Sequence, residues 1–246
     1  MIAYACQAVV LDIEGTISPL SFVHDVLFPY ARRHAAEYLR THWNAPELRD
    51  AMRLMARDVG MTCLEDWLAA DSEVESQERI LSAIDRWMEI DAKLTGLKAF
   101  QGLVWDEGYR SGQLQSLIFP DVPLALAAWT SKSIRVAIYS SGSIAAQKAF
   151  LAHADRGDLL PYLSAHFDTT TGPKKEAESY RLIARQLQAD PSKLLFISDV
   201  HAELDAARES GWLTALALRP GNAPLGILSS HAVVRDFAEL ELTRAV

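Results

Sequence analysis

From residue 119 onward, short apolar runs alternate with stretches of helical periodicity, and this alternation constrains the fold more than any other feature of the chain. Arg135-Val136-Ala137-Ile138-Tyr139, Ala165-His166-Phe167-Asp168, residues 193–198 and residues 213–218 read as buried strands. Residues 122–132, 144–153, 176–188 and 202–210 read as the helices between them, and Val233-Val234 as a further edge strand. Strands linked through helices pair in parallel, and a parallel sheet is covered by helices on both faces. Residues 7–12, an apolar run that ends at Asp12, read as another strand of that sheet. The expected class is α/β with a Rossmann-like parallel sheet.

Between that first strand and residue 118 the apolar period changes. Leu27, Tyr30, Ala31, His34, Tyr38 and Leu39 fall on one helical face. Leu48, Met52, Met55, Ala56 and Val59 fall on another, opened by Pro46 at a first-turn position. Residues 61–70, 74–94 and 97–111 read as three more helices, the last stopped by Gly112. Continuous helix inside a chain that begins with a buried strand reads as an insertion. The expected organisation is a core of residues 1–19 and 118–246, with residues 20–117 as an all-helical domain.

Composition narrows the function classes. The 246 residues carry a formal net charge of -8 and contain no basic block, which argues against nucleic-acid binding through phosphate neutralisation. Cys6 and Cys63 are far apart and form no CxxC, so two buried thiols are expected rather than a disulfide framework or a zinc site. No apolar run is long enough for a membrane span. No basic stretch precedes an apolar run at the start, so no signal peptide is expected and the cytoplasm is the expected compartment. Nothing resembling a coiled-coil seam is present, and a monomer is the default.

Three strands empty into polar groups. The first ends in Asp12-Ile13-Glu14-Gly15-Thr16, the second in Ser140-Ser141-Gly142-Ser143, the third in Asp199. The loop after residue 168 supplies Lys174 and Lys175. Taken singly, each has an ordinary reading: an acidic turn, a serine N-cap, a solvated lysine pair, a helix-capping aspartate. Taken together at the carboxyl ends of one parallel sheet, where ligands bind in open α/β folds, they compose a site for phosphoryl transfer through a carboxylate. An Asp nucleophile splits one hard step into two, and a second acid can protonate the leaving alcohol and then deprotonate water. Mg²⁺ relieves the meeting of carboxylates with phosphate. A hydroxyl, a helix N-terminus and a lysine hold the phosphoryl oxygens.

Asp12-x-Glu14-Gly15-Thr16, Ser140, Lys174 and Asp199 resemble the four motifs of the haloacid dehalogenase superfamily. Glu14, where the general pattern has Asp, narrows the resemblance to the enolase-phosphatases of methionine salvage. Further stretches similar to that family are Phe28-Pro29-Tyr30, Leu97-Lys98-Ala99-Phe100-Gln101-Gly102, Phe119-Pro120-Asp121-Val122, Ala146-Gln147-Lys148, His166-Phe167-Asp168-Thr169, Glu178-Ser179-Tyr180-Arg181 and Arg219-Pro220-Gly221-Asn222.

The resemblance implies a haloacid dehalogenase fold with a helical cap, and a small phosphorylated substrate, 2,3-diketo-5-methylthiopentyl-1-phosphate. That substrate is enolised and then dephosphorylated with one Mg²⁺. It implies Asp12 as nucleophile and metal ligand, and Glu14 as acid/base through its side chain and metal ligand through its carbonyl. Ser140, Ser141 and Lys174 are implied as phosphate ligands, and Asp199 as the remaining metal ligand. Glu203, one turn beyond Asp199, is either a holder of metal-bound water or a solvated helix acid, the second being the expectation. Trp105 is followed by Asp106-Glu107 where the family often has a basic residue. Arg110 is placed either to replace that base or to pair with Asp106, and Trp105 with Tyr109 either to pack on the substrate's thiomethyl tail or, the expectation, to fill the interior of the helical domain.

Overall fold

Six parallel strands in the order β4-β3-β2-β5-β6-β7 form the main sheet of the computed structural model, which describes residues 1–69, 72–224 and 229–245. These strands are β2 (Ala8–Leu11), β3 (Arg135–Tyr139), β4 (Leu163–Phe167), β5 (Leu194–Ser198), β6 (Leu213–Ala217) and β7 (Ala232–Val234). Strand β2 lies between β3 and β5, with Leu11 level with both Ile138 and Ile197. All four of its residues are fully buried, which is why it reads as a continuous apolar run rather than an alternating one. Alternate residues face opposite sides. Val10, Ala137, Tyr139 and Phe196 pack under the helices Ala177–Leu187 and His201–Glu209, in a cluster with Tyr180, Ile183, Leu204 and Trp212.

The chain also forms a pairing that the apolar pattern did not announce. Strand β1 (Ile2–Cys6) runs parallel to β8 (Leu240–Arg244) as a separate two-stranded sheet. Its half-buried and exposed residues alternate up to the buried Cys6, and its partner lies at the other end of the chain. Cys6 is buried as expected, whereas Cys63 is exposed.

The strands and their helices, Met1–Phe22 with Gln115–Val246, make one unit, and Val23–Leu114 makes a second. Phe22 belongs to the first, where its ring meets Phe150 edge-on at 5.8 Å. The second unit contains no strand among its described residues. Its helices are Phe28–His42, Pro46–Asp58, Leu64–Leu68, Glu73–Glu89 and Thr95–Arg110, preceded by a π-helical turn, Val23–Leu27. They enclose Leu39, Leu48, Met52, Met55, Ile80, Ile84 and Phe100. Gly96 lets two of them approach closely, since a β-carbon there would collide with the Met55 backbone.

The long helix expected over 74–94 stops at Glu89. Asp91 turns left-handed (φ 49°), and its N–H and that of Ala92 donate to Met88 and Trp87, a Schellman closure that ends the helix. The helix expected over 61–70 shortens to Leu64–Leu68, and its last position, Ala70, lies outside the described residues. No helix among the described residues is long and apolar enough to cross a membrane.

Candidate active site

Strand order decides where the polar groups meet. The chain runs outward from β2 to β3 and β4, then crosses back to β5 and runs outward the other way. Connections therefore diverge above the carboxyl ends of β2 and β5, and ligands bind at such a switch point. Asp12 leaves β2 there, its N–H bonded to Ile197 O at 3.0 Å. By register it sits beside Tyr139 and Ser198, with Ser140 and Asp199 one residue further on.

The loop after Asp12 is tied down carbonyl by carbonyl. Ile13 O accepts from the N–H groups of Thr16, Ile17 and Ser18, and Ser18 O accepts from Gly15 N. Gly15 O accepts from Asn222 Nδ2 at 2.8 Å, Thr16 O from Arg219 Nε at 2.9 Å, and Ile17 O from Phe119 N at 3.0 Å. No hydrogen bond among the described residues falls on Glu14 O. Gly15 is left-handed (φ 69°), and a β-carbon on it would run into the Asp199 carboxylate, so only glycine lets the two approach.

The buried Arg219 does more than hold Thr16. Its guanidinium lies between the rings of Phe119 and Phe237, at 4.9 and 4.2 Å, and donates to Asp121 Oδ2 and Arg235 O. The Phe119-Pro120-Asp121 and Arg219-Pro220-Gly221-Asn222 stretches thus brace the loop that carries Glu14.

Lys174 is the centre of charge. Its Nζ lies 2.6 Å from Asp12 Oδ1 and 2.7 Å from Glu203 Oε2, with all three side chains buried. Three hydroxyls fix the segment that delivers it: Tyr180 OH donates to Lys174 O, Tyr139 OH to Gly172 O, and Ser179 Oγ to Pro173 O. Burial alone would lower the Lys174 ammonium, but the Asp12 and Glu203 carboxylates outweigh it and hold its pKa above the ordinary lysine value. Ser198 Oγ donates to Glu203 Oε2 at 3.0 Å and lies 3.4 Å from Asp12 Oδ2. Ser140 Oγ donates to Glu14 Oε2 at 3.2 Å and accepts from Gly142 N.

The structure therefore joins Asp12 with Lys174, and Glu14 with Ser140, and sets Asp199 against Gly15. Ser141 and Lys175 are exposed, and Ser143 is the residue that caps the helix Ile144–Ala152, accepting from Ala146 N. One participant went unread, and a second was weighed for the site but expected outside it. Ser198 looked like the last residue of a strand. Glu203 was expected to be a solvated acid but is only 8% exposed and ion-paired. Its signal was its spacing, four residues after Asp199 on a helix, which returns it to the same end of the sheet.

Four carboxylates, Asp12, Glu14, Asp199 and Glu203, share this region with one buried ammonium, and the imbalance appears in their protonation. Burial, then the Asp12 charge, pushes Glu14 and Glu203 up. Burial, Asp12 and Glu203 push Asp199 up to about 7. Among the described residues no three His, Cys, Asp or Glu side chains gather closely enough to hold an ion by themselves. The donors on offer are instead two carboxylates, Asp12 and Asp199, and the free Glu14 carbonyl. An all-oxygen set with few protein ligands and room for waters is what Mg²⁺ takes, so the residues fit that ion.

The comparisons with known proteins agree with this chemistry. The family model for haloacid dehalogenase-like hydrolases matches residues 6–211. Enolase-phosphatase E1 of Drosophila virilis is 44% identical over 95% of this chain and 94% of its own. The protein of that name from Pseudomonas aeruginosa is 42% identical over 95% of this chain and 97% of its own. The chain belongs to the enolase-phosphatase E1 family of haloacid dehalogenase-like hydrolases. Among solved structures, the UTR4 protein of Saccharomyces cerevisiae superposes with a TM-score of 0.78 at 32% identity, covering 96% of this chain and all of that one. A member of this family is a phosphatase.

Two features of the helical unit bear on the family pattern. Arg110 pairs with Asp106 at 2.6 Å and is mostly exposed, so it forms a surface i,i+4 ion pair. Tyr109 is buried, and Trp105 donates from Nε1 to Leu27 O at 2.8 Å while packing against the helical core.

Proposed function

We propose that this chain converts 2,3-diketo-5-methylthiopentyl-1-phosphate into 1,2-dihydroxy-3-keto-5-methylthiopentene and inorganic phosphate, by enolisation and then hydrolysis of an aspartyl phosphate. The observation that carries this reading is the Asp12 carboxylate, buried at the end of the central strand. It is held by Lys174 at 2.6 Å, with the Ser140-bound Glu14 two residues away.

In this reading Asp12 attacks phosphorus. The bond from phosphorus to the substrate oxygen breaks, and Glu14 gives that oxygen its proton. Glu14 then takes a proton from the water that attacks the phosphoaspartate, which returns Asp12 and releases phosphate. A carboxyl with a raised pKa suits the first half of that cycle, and burial supplies the rise in Glu14. The Lys174 ammonium and the Ser140 hydroxyl, with the Ser141 segment leading into a helix N-terminus, bind the phosphoryl oxygens. The residues that would hold Mg²⁺ are Asp12, Asp199 and the carbonyl of Glu14. When bound, the ion supplies charge neutralisation of phosphate and stabilisation of an enediolate oxygen.

The test is to incubate the purified protein with the diketo phosphate and Mg²⁺, following the enol by absorbance and phosphate by a colour assay. Both signals are expected, and both are expected to be lost on chelation. Phosphate release from many small esters with no preference for the diketo compound would instead make the chain a general phosphatase of the same superfamily. In Asp12→Asn, phosphate release is expected to fall by roughly three orders of magnitude or more, with the circular dichroism unchanged; turnover near the parent rate would remove Asp12 as nucleophile.

A further inference from the structure

We infer that Asn222 is a positioning residue of the metal centre, whose side-chain oxygen accepts a hydrogen bond from a water carried by the Mg²⁺. The inference rests on the Mg²⁺ reading above and adds a residue to it.

Asn222 lies in the segment after β6, far in sequence from every residue assigned to the site. Its Nδ2 donates to Gly15 O at 2.8 Å and to Ala217 O at 3.2 Å. Two carbonyl partners on that side leave no choice of amide orientation, because an amide oxygen there would face two acceptors. The other atom, Oδ1, is buried and has no hydrogen-bond partner among the described residues.

Its surroundings say what it lacks. A β-carbon built on Gly15 would lie 3.2 Å from Asn222 Oδ1 and would collide with Asp199 Oδ2, so both oxygens converge on one side of Gly15. Amide oxygen and carboxylate are both acceptors and cannot satisfy one another. A buried acceptor left without a donor costs about 1–3 kcal/mol, and two acceptors side by side call for a donor or a positive charge between them. Asp199 and the Glu14 carbonyl, one residue before Gly15, are the groups that would ligate the ion. A water on a divalent cation is a strengthened donor, and it meets the need of Oδ1 without adding another charge to a region already rich in carboxylates. Outer partners of this kind orient a metal's ligands and are costly to lose.

Asn222 thus has two separable functions. Nδ2 holds the Gly15 carbonyl, and Oδ1 faces the ion's hydration shell. Two substitutions divide them. Asn222→Ala removes both, whereas Asn222→Asp keeps an oxygen acceptor and removes the donor to Gly15. The experiment is calorimetric titration of Mg²⁺ into the full chain without substrate, at neutral pH, with thermal unfolding of each variant as a check on folding. The expected result is a Kd raised about 10- to 100-fold in Asn222→Ala and kept within about threefold of the parent, or lowered, in Asn222→Asp. Equal weakening in both variants would assign the whole effect to the Gly15 bond and overturn the inference. So would an unchanged Kd in Asn222→Ala. A parent protein that binds no Mg²⁺ would overturn the metal reading itself, and this inference with it, which is a distinct outcome.

Discussion

Removing the charge of Lys174 is the sharpest test of how this site is held together. In Lys174→Met the side chain keeps most of its volume, but Asp12 and Glu203 lose the ammonium they share at 2.6 and 2.7 Å. All three groups are buried, so solvent does little to soften the loss, and breaking a buried pair by removing one partner costs about 3–5 kcal/mol. For a chain of this length each kcal/mol moves the melting temperature by roughly 2–4 °C, which places the expected drop at about 6–20 °C.

The pH dependence has a definite sign. Lys174 has a raised pKa, so in the parent its contribution is fully present below the ordinary lysine pKa and is lost only in alkali. In the variant Glu203, raised by burial and by the Asp12 charge, loses the lysine that held it down and binds its proton more tightly folded than unfolded, so the variant gains stability as pH falls. The deficit relative to the parent is therefore largest near pH 8 and smallest near pH 5. Added Mg²⁺ recovers part of it at pH 8 by supplying another cation. Calorimetric melts at both pH values, with chelator and then with Mg²⁺, read all of this. A melting temperature at pH 8 within about 2 °C of the parent, or a deficit that grows toward acid, would refute the claim that Lys174 compensates buried carboxylates.

Other perturbations probe the same loop and the rest of the fold. Glu14→Gln should slow breakdown of the phosphoenzyme by about 10²–10⁴-fold in quench measurements, while Mg²⁺ affinity by calorimetry stays within a few-fold; a collapse of affinity would show that the carboxylate, not the carbonyl, holds the ion. Gly15→Ala forces a left-handed β-carbon, costing about 1–2 kcal/mol in urea unfolding. It also displaces Asp199 and weakens Mg²⁺ binding, and an alanine variant with parental stability and affinity would contradict the geometry. His231 is buried against Thr214 and Asp205, and burial followed by Arg208 lowers its pKa, while burial also lowers that of His166. Each takes up a proton more readily unfolded than folded, so the stability they contribute is present above about pH 6.5 and is lost as pH falls below it; urea midpoints that stay level between pH 7.5 and 5.5 in the parent and fall in His231→Gln would reverse that assignment.

Much of the fold was legible because it is written in local pattern. A strand buried on both faces must be apolar at every position, and β2 is, so Asp12 stood out as the point where that run breaks. The alternation of β3, β5 and β6 with their helices implied a parallel sheet, and a parallel sheet implied where the polar strand ends gather. Asp12, Ser140 and Asp199 were legible in the same way, since each follows a strand directly, whereas Lys174 lies in the loop beyond β4.

What stayed hidden depends on partners distant in the chain. The β1–β8 pairing joins the first residues to the last, a partnership that no local pattern in either strand specifies. Glu203 looked like any acid on an exposed helix, and only its placement against Lys174 and Ser198 makes it buried and paired. Arg219 and Asn222 stood only in a stretch similar to the family, with no role, until folding brought them to the carbonyls of Thr16 and Gly15. Sequence by itself determined the sheet, its polar strand ends and the family of the catalytic motif, because periodicity and spacing are local properties. Tertiary structure alone decided which charges are buried together, which carbonyls are bonded and which are left free, because burial and hydrogen bonding belong to pairs of residues that the chain brings together only by folding.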